Sequence, residues 1–238
     1  MRVCLMLSGM LRDNSSYESL KRDIIKPYGA DVYCQLWSSS EQNAAAEAHI
    51  ISSCYEPQQL LQQQHLNTCN NFSQQYYPEL QHLYPFNAAH AGNRHNQILS
   101  QLLGMKNASN MFNWSNYDFI IRARYDKINL QRFLDLNKLD ADTFYADCCY
   151  NSWFQQHDKF FVDRNFIMPN TMKHMCQGFD LLYNKEFCTN MYNWTQHQCG
   201  DKFNQGFWPE YLLAYMMEYY NLHHKFKKLN CDEYHIST

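Results

Sequence analysis

Val3 to Leu7 is an unbroken apolar run ended by Ser8-Gly9, the pattern of a strand buried on both faces. The polar-apolar spacing then turns helical. "NSSYESLKRDIIKPYG" sets Tyr17, Leu20 and Ile24 on one face, offers Ser15-x-x-Glu18 as a capping box, and stops at Pro27 and Gly29. A second strand, Ala30 to Trp37, follows at once. Strand, helix and strand in this order predict a βαβ unit, and with it a parallel sheet with a right-handed crossover.

From Ser38 to Pro85 the chain is rich in Gln, Asn, Ser and Ala and contains "QQLLQQQH", which reads as peripheral helix and loop outside the sheet. Ile98, Leu102 and Met105 recur at helical spacing within a helix expected from about Ala88 to Lys106. Strands are expected at Phe119 to Arg122, near Thr143 to Ala146 and at Lys159 to Val162. Helices are expected near Thr171 to Tyr183 and from Pro209, a favourable first-turn proline, through "EYLLAYMMEYY". No fixed-period repeat and no sharp linker divides the 238 residues, so a single α/β domain over residues 1–238 is expected, its sheet mixed, mostly parallel and flanked by helices.

Charge and composition narrow the classes. A net charge of -3 argues against a broad basic surface for nucleic acid and favours small or neutral ligands. The N-terminal apolar stretch is about five residues, short of the roughly seven to fifteen of a signal h-region. No later stretch approaches the roughly 20 apolar residues of a membrane span, so a cytoplasmic chain is the expectation. Cysteines such as Cys4, Cys34, Cys54 and Cys176 lie alone in apolar surroundings, as reduced core thiols do. The adjacent Cys148-Cys149 and the lack of C-x-x-C speak against a zinc site.

Candidate chemistry gathers at the expected strand ends, where parallel sheets bind ligands. After the first strand, Gly9 allows close backbone approach, and Arg12 near the next helix start could meet a phosphate; a tight turn with a solvated arginine is the competing reading. After the third, Arg122 and Arg124 share a strand face by the period of two, and Asp126 extends it. Such a carboxylate can hold Mn2+ or Mg2+ between diphosphate oxygens while the arginines bind phosphate, although an Arg-Asp ion pair closing the sheet gives the same spacing. Asp158, just before "KFFV", can act as a general base or merely as a cap. Glu210 sits in a helical first turn, where a carboxylate is favourable without any function. Asp140-x-Asp142 reads as an acidic loop before a strand, and His223-His224 as exposed residues.

The blocks "LMLSGMLRDNSSYESLKRDIIKPYGADVYCQLW", "NYDFIIRARYDKI", "HDKFFVDRNFIM" and "PEYLLAYMMEYYNL" resemble, in order and spacing, short glycosyltransferases of large DNA viruses and bacterial polysaccharide loci. The resemblance implies a GT-A-like, Rossmann-like fold, a UDP- or GDP-linked sugar donor, a glycan or glycoprotein acceptor and usually a divalent metal. It implies that Ser8, Gly9 and Arg12 approach the nucleotide, and Trp37, Arg122 and Arg124 are further residues expected on the donor side. It further implies that Asp126 matches the last carboxylate of Asp-x-Asp, that Asp158 faces the acceptor, and that Glu210 supports that side. Arg124 stands where the first carboxylate of Asp-x-Asp would be, which bears on metal dependence because an arginine can itself neutralise a leaving diphosphate. A sulfotransferase-like transferase and a non-catalytic glycan-binding protein on a degenerate transferase fold are the alternatives.

Overall fold

The computed structural model describes the whole chain except residues 12, 13, 15, 39, 65–93, 126–134, 148–164, 201–208 and 230–238. Strand β1, Val3–Met10, opens it, three residues longer than the apolar run suggests, because Ser8, Gly9 and Met10 stay paired with Gln35, Leu36 and Trp37. Helix α1 follows in three pieces: Tyr17–Leu20, a π turn over Lys21–Ile25, and Lys26–Tyr28. The π turn has a local cause. Pro27 lacks an N–H and its ring crowds the carbonyl four residues back, and widening the preceding turn relieves both. Gly29, at φ 56°, ends the helix in the left-handed conformation that glycine adopts at little cost.

Strand β2, Asp31–Ser38, lies parallel to β1 and completes the βαβ unit. Helix α2, Glu41–Tyr55, is capped by the Ser40 hydroxyl accepting from the Asn43 amide at 3.2 Å. The next segment corrects the sequence reading: Gln59–Gln64 is a strand, β3, parallel to β2 and on the sheet. Its glutamines have little to bury and hide a strand signal, yet β2 offers a complete ladder for its backbone groups.

Helix α3, Arg94–Ser109, crosses back and buries Ile98, Leu102 and Met105 as expected. Strand β4, Phe119–Ala123, pairs in parallel with the other side of β1. Strand β5, Phe144–Asp147, and strand β6, Phe166–Pro169, complete the antiparallel part, with β6 antiparallel to both β4 and β5. The expected strand at Lys159 to Val162 lies outside the described residues. The expected helix at Thr171 to Tyr183 is instead a 3-10 segment, Asn170–Cys176, followed by a short helix α4, Gly178–Leu181. Helices α5, Lys185–Cys199, and α6, Pro209–Tyr219, then lead to strand β7, Phe226–Leu229, parallel to β5.

The sheet order is β3-β2-β1-β4-β6-β5-β7. One face buries Val3, Leu5, Leu7, Cys34, Leu36 and Ile121 against α1 and α2. The other buries Cys4, Met6, Ile120, Phe166 and Met168 against α3 to α6. The fold is therefore α/β, with a mixed, mostly parallel sheet between helical layers. No described helix is long and apolar enough to cross a membrane.

Candidate functional site

The strand order defines where a ligand belongs. From β1 the chain builds outward to β2 and β3 on one side, then returns to place β4 on the other. The carboxyl ends of β1 and β4 consequently flank a topological switch point, the place where open α/β sheets bind ligands.

Ser8 and Gly9 stand on the β1 side of that point. Ser8 is 2% exposed, and its Oγ has no hydrogen-bond partner among the described residues, a costly state for a buried hydroxyl that a ligand atom would relieve. Gly9 has φ 136°, a conformation that side-chain-bearing residues rarely adopt, and a β-carbon built there would meet nothing within 4 Å. The backbone is thus exposed to close approach at the end of β1.

Across from them, β4 delivers the two arginines. Met6 pairs with Arg122 and Leu7 with Ala123, so the register carries Arg124 forward toward Ser8. Arg122 is fully buried, with its guanidinium 5.4 Å from the Phe166 ring centre, and it acts on Cys176 of the α3-side core. A fully desolvated cation fixed over an aromatic ring is part of the core beneath the β1 and β4 ends. Arg124 is half-buried and lies just beyond the last residue of β4.

Trp37 occupies a different setting. It is buried, it donates its indole N–H to the Ser100 carbonyl of α3 at 2.9 Å, and it pairs in the ladder with Met10. Glu210 lies half-buried in the first turn of α6, beside buried Tyr211, whose phenol is pushed up by burial foremost and in part by the Glu210 charge. Arg12, Asp126 and Asp158 lie outside the described residues.

Three residues that the sequence reading passed over tie the two strand ends together. The Ser16 hydroxyl, at the entry to α1, donates to the Tyr125 carbonyl and lies 3.5 Å from that of Arg124. Tyr125 is fully buried and donates its hydroxyl across β1 to the Gln35 carbonyl at 3.0 Å. Tyr55 of α2 donates to Asn14 Oδ1 at 3.0 Å, and Asn14 Nδ2 donates to Cys54 Sγ at 3.2 Å. Burial pushes the Tyr55 and Tyr125 phenols up, so both remain neutral donors.

The donors described at the strand ends are a guanidinium, a hydroxyl and open backbone, a set that suits an anion and does not by itself fit a divalent cation. Among the described residues, no three His, Cys, Asp or Glu side chains are grouped to hold a metal. Asp140 and Asp142 form the acidic turn the sequence suggests: the Asp142 amide donates to Asp140 Oδ1 at 3.0 Å, and Asp142 pairs with Lys225 at 2.6 Å. His223 lies 3.0 Å from Glu218.

No protein-family model matches the sequence, and no curated protein matches it. Among solved structures the chain is similar to the apo crystal structure of mouse xyloside xylosyltransferase 1. The identity is 10% and the TM-score 0.45, with 97% of this chain and 84% of that one covered.

Proposed function

We propose that the chain is a glycosyltransferase that moves a sugar from a nucleotide-diphosphosugar donor to a hydroxyl of a glycan acceptor. The observation that carries this reading is the meeting of Ser8, Gly9 and Arg124 at the switch point. There a buried hydroxyl, an open glycine backbone and a half-buried cation follow the last β1–β4 pair, Leu7 with Ala123. A diphosphate matches this set. Backbone amides and the serine hydroxyl can donate to its oxygens, and the guanidinium can neutralise the charge that grows as the sugar-oxygen bond breaks.

In the proposed reaction the bond between the anomeric carbon and the diphosphate oxygen breaks, and its electron pair leaves with the nucleoside diphosphate. The acceptor oxygen forms the new bond to that carbon and gives up its proton. Asp158 is the residue assigned from the sequence to take that proton in an inverting transfer, and Arg12 is assigned to the leaving phosphates. Arg124 acts chiefly on the leaving group, so its contribution rises toward the transition state. Arg122 is part of the core beneath the β1 and β4 ends, and Trp37 fixes the β2 end against α3. Glu210 is assigned to the acceptor side.

Mn2+ or Mg2+ at Asp126 would add positive charge at the diphosphate.

The test is a thermal-shift screen of the purified chain against nucleotides and UDP- and GDP-sugars, with and without manganese. A ligand at about 100 times its dissociation constant contributes roughly 2.7 kcal/mol, a readily measured rise. Stabilisation by a UDP- or GDP-sugar supports the reading. A folded chain that responds to none of them contradicts it, and a response confined to adenosine 3′,5′-bisphosphate transfers the site to the sulfotransferase class.

A further inference from the structure

We infer that Ser16 and Tyr55 are positioning residues that hold Arg124 in its anion-binding place, through a clasp between the β1 and β4 ends. The inference rests on the glycosyltransferase reading only in that the switch point takes a nucleotide phosphate.

Arg124 has left the ladder: β4 ends at Ala123, and the last parallel pair is Leu7 with Ala123. Beyond that pair the backbone carbonyls of Arg124 and Tyr125 lie past the β1–β4 ladder and take an anchor from elsewhere in the chain. Ser16 supplies it. Its side chain is 2% exposed, and its hydroxyl reaches the carbonyls of both Arg124 and Tyr125 from a position more than 100 residues earlier in the chain. Ser16 makes no side-chain cap for α1, the ordinary use of serine at that position, so its hydroxyl serves the β4 end instead.

Tyr55 closes the clasp from α2. Its hydroxyl fixes Asn14, two residues before Ser16, and its ring stands edge-on to Tyr125 at 6.1 Å. Tyr125 is in turn tied across β1 to Gln35. The segment that enters α1, the end of β4 and helix α2 thus share one buried network. Its members are all neutral, and it orders the backbone at Arg124 through hydrogen bonds and a ring contact. Preorganisation of this kind appears in affinity, because an arginine already in place gives up less freedom on binding.

The experiment compares the parent with Tyr55→Phe, Ser16→Ala and Ser16→Thr, titrating UDP, GDP and adenosine 3′,5′-bisphosphate by calorimetry and recording ligand-free melting. Tyr55→Phe removes one oxygen and keeps the ring, so it holds the test open if Ser16→Ala does not fold. The expected result is a loss of nucleotide affinity of about five- to tenfold in Tyr55→Phe and Ser16→Ala, with Ser16→Thr restoring it. Parental affinity in folded Tyr55→Phe overturns the clasp. Binding of the adenosine bisphosphate alone, weakened by the same substitutions, keeps the clasp and removes the glycosyltransferase reading. A folded parent that binds none of the three overturns both.

Discussion

Gly104 of α3 lies directly against the Trp37 indole: a β-carbon built on Gly104 would stand 2.7 Å from Trp37 Nε1 and 2.6 Å from Gln35 Oε1. The helix passes this close to β2 only because residue 104 has no side chain. Trp37 then reaches the Ser100 carbonyl one turn away. Gly104→Ala gains helix propensity but forces a rigid indole and a buried amide apart, and overpacking prevails. Urea unfolding is expected to show a loss of about 1–3 kcal/mol. Unchanged or higher stability would mean that α3 moves away freely.

The two arginines of β4 are expected to separate cleanly. Arg122 is fully buried, and removing it strands whatever group balances its charge. Arg122→Ala should therefore lower stability by about 3–5 kcal/mol in a denaturant melt. Arg124 is half-buried at the β4 end, so Arg124→Ala should melt near the parent while nucleoside diphosphate binding falls roughly tenfold or more. Equal melting losses in both variants would show that Arg124 is structural.

The strands that position these residues were legible because apolar runs mark β1 and β4, and β2 follows directly on the helix of the βαβ unit. The rest was hidden for separate reasons. β3 is glutamine-rich and takes its place from the β2 ladder, while β6 has only four residues and ends in Pro169. Helix α5 buries Phe187, Cys188, Met191, Thr195 and Cys199, a stripe diluted by Asn, Gln and the half-buried Tyr192 and Trp194. At the site, Ser8, Gly9 and the Arg-x-Arg spacing show in the sequence because a strand and its end are local. The Ser16 to Tyr125 contact spans 109 positions, and no local pattern announces it.

His174 gives a pH dependence. It is half-buried against Tyr220 at 4.4 Å between ring centres, and burial lowers its imidazole below the ordinary 6.5. The unfolded chain then binds more protons than the folded one in acid. This contribution is complete above about 6.5 and is lost as pH falls through the window below. His174→Phe keeps a ring and removes the proton, so stability measured from about pH 5 to 7 should slope less than in the parent. Identical slopes would remove His174 as the cause.

The buried thiols give a chemical test of the core. Burial pushes Cys34, Cys176 and Cys188 up to about 12 and Cys199 to about 11, leaving little thiolate near neutrality. Cys54, on α2, is partly exposed. Brief iodoacetamide treatment of the native chain near pH 8, followed by peptide mass mapping, should label Cys54 ahead of these four. In urea the differences should vanish. Native labelling of Cys34 or Cys176 at the rate of Cys54 would contradict the packing described here.

Sugar transfer itself gives the most direct measurement. The parent and Arg124→Ala are incubated with a panel of UDP- and GDP-sugars, manganese and a mixture of glycan acceptors, and released nucleoside diphosphate is quantified. The parent is expected to release nucleoside diphosphate from at least one donor, well above the release by Arg124→Ala. A folded parent that releases nothing from any donor, or an Arg124→Ala that matches it, would rule out sugar transfer at this site.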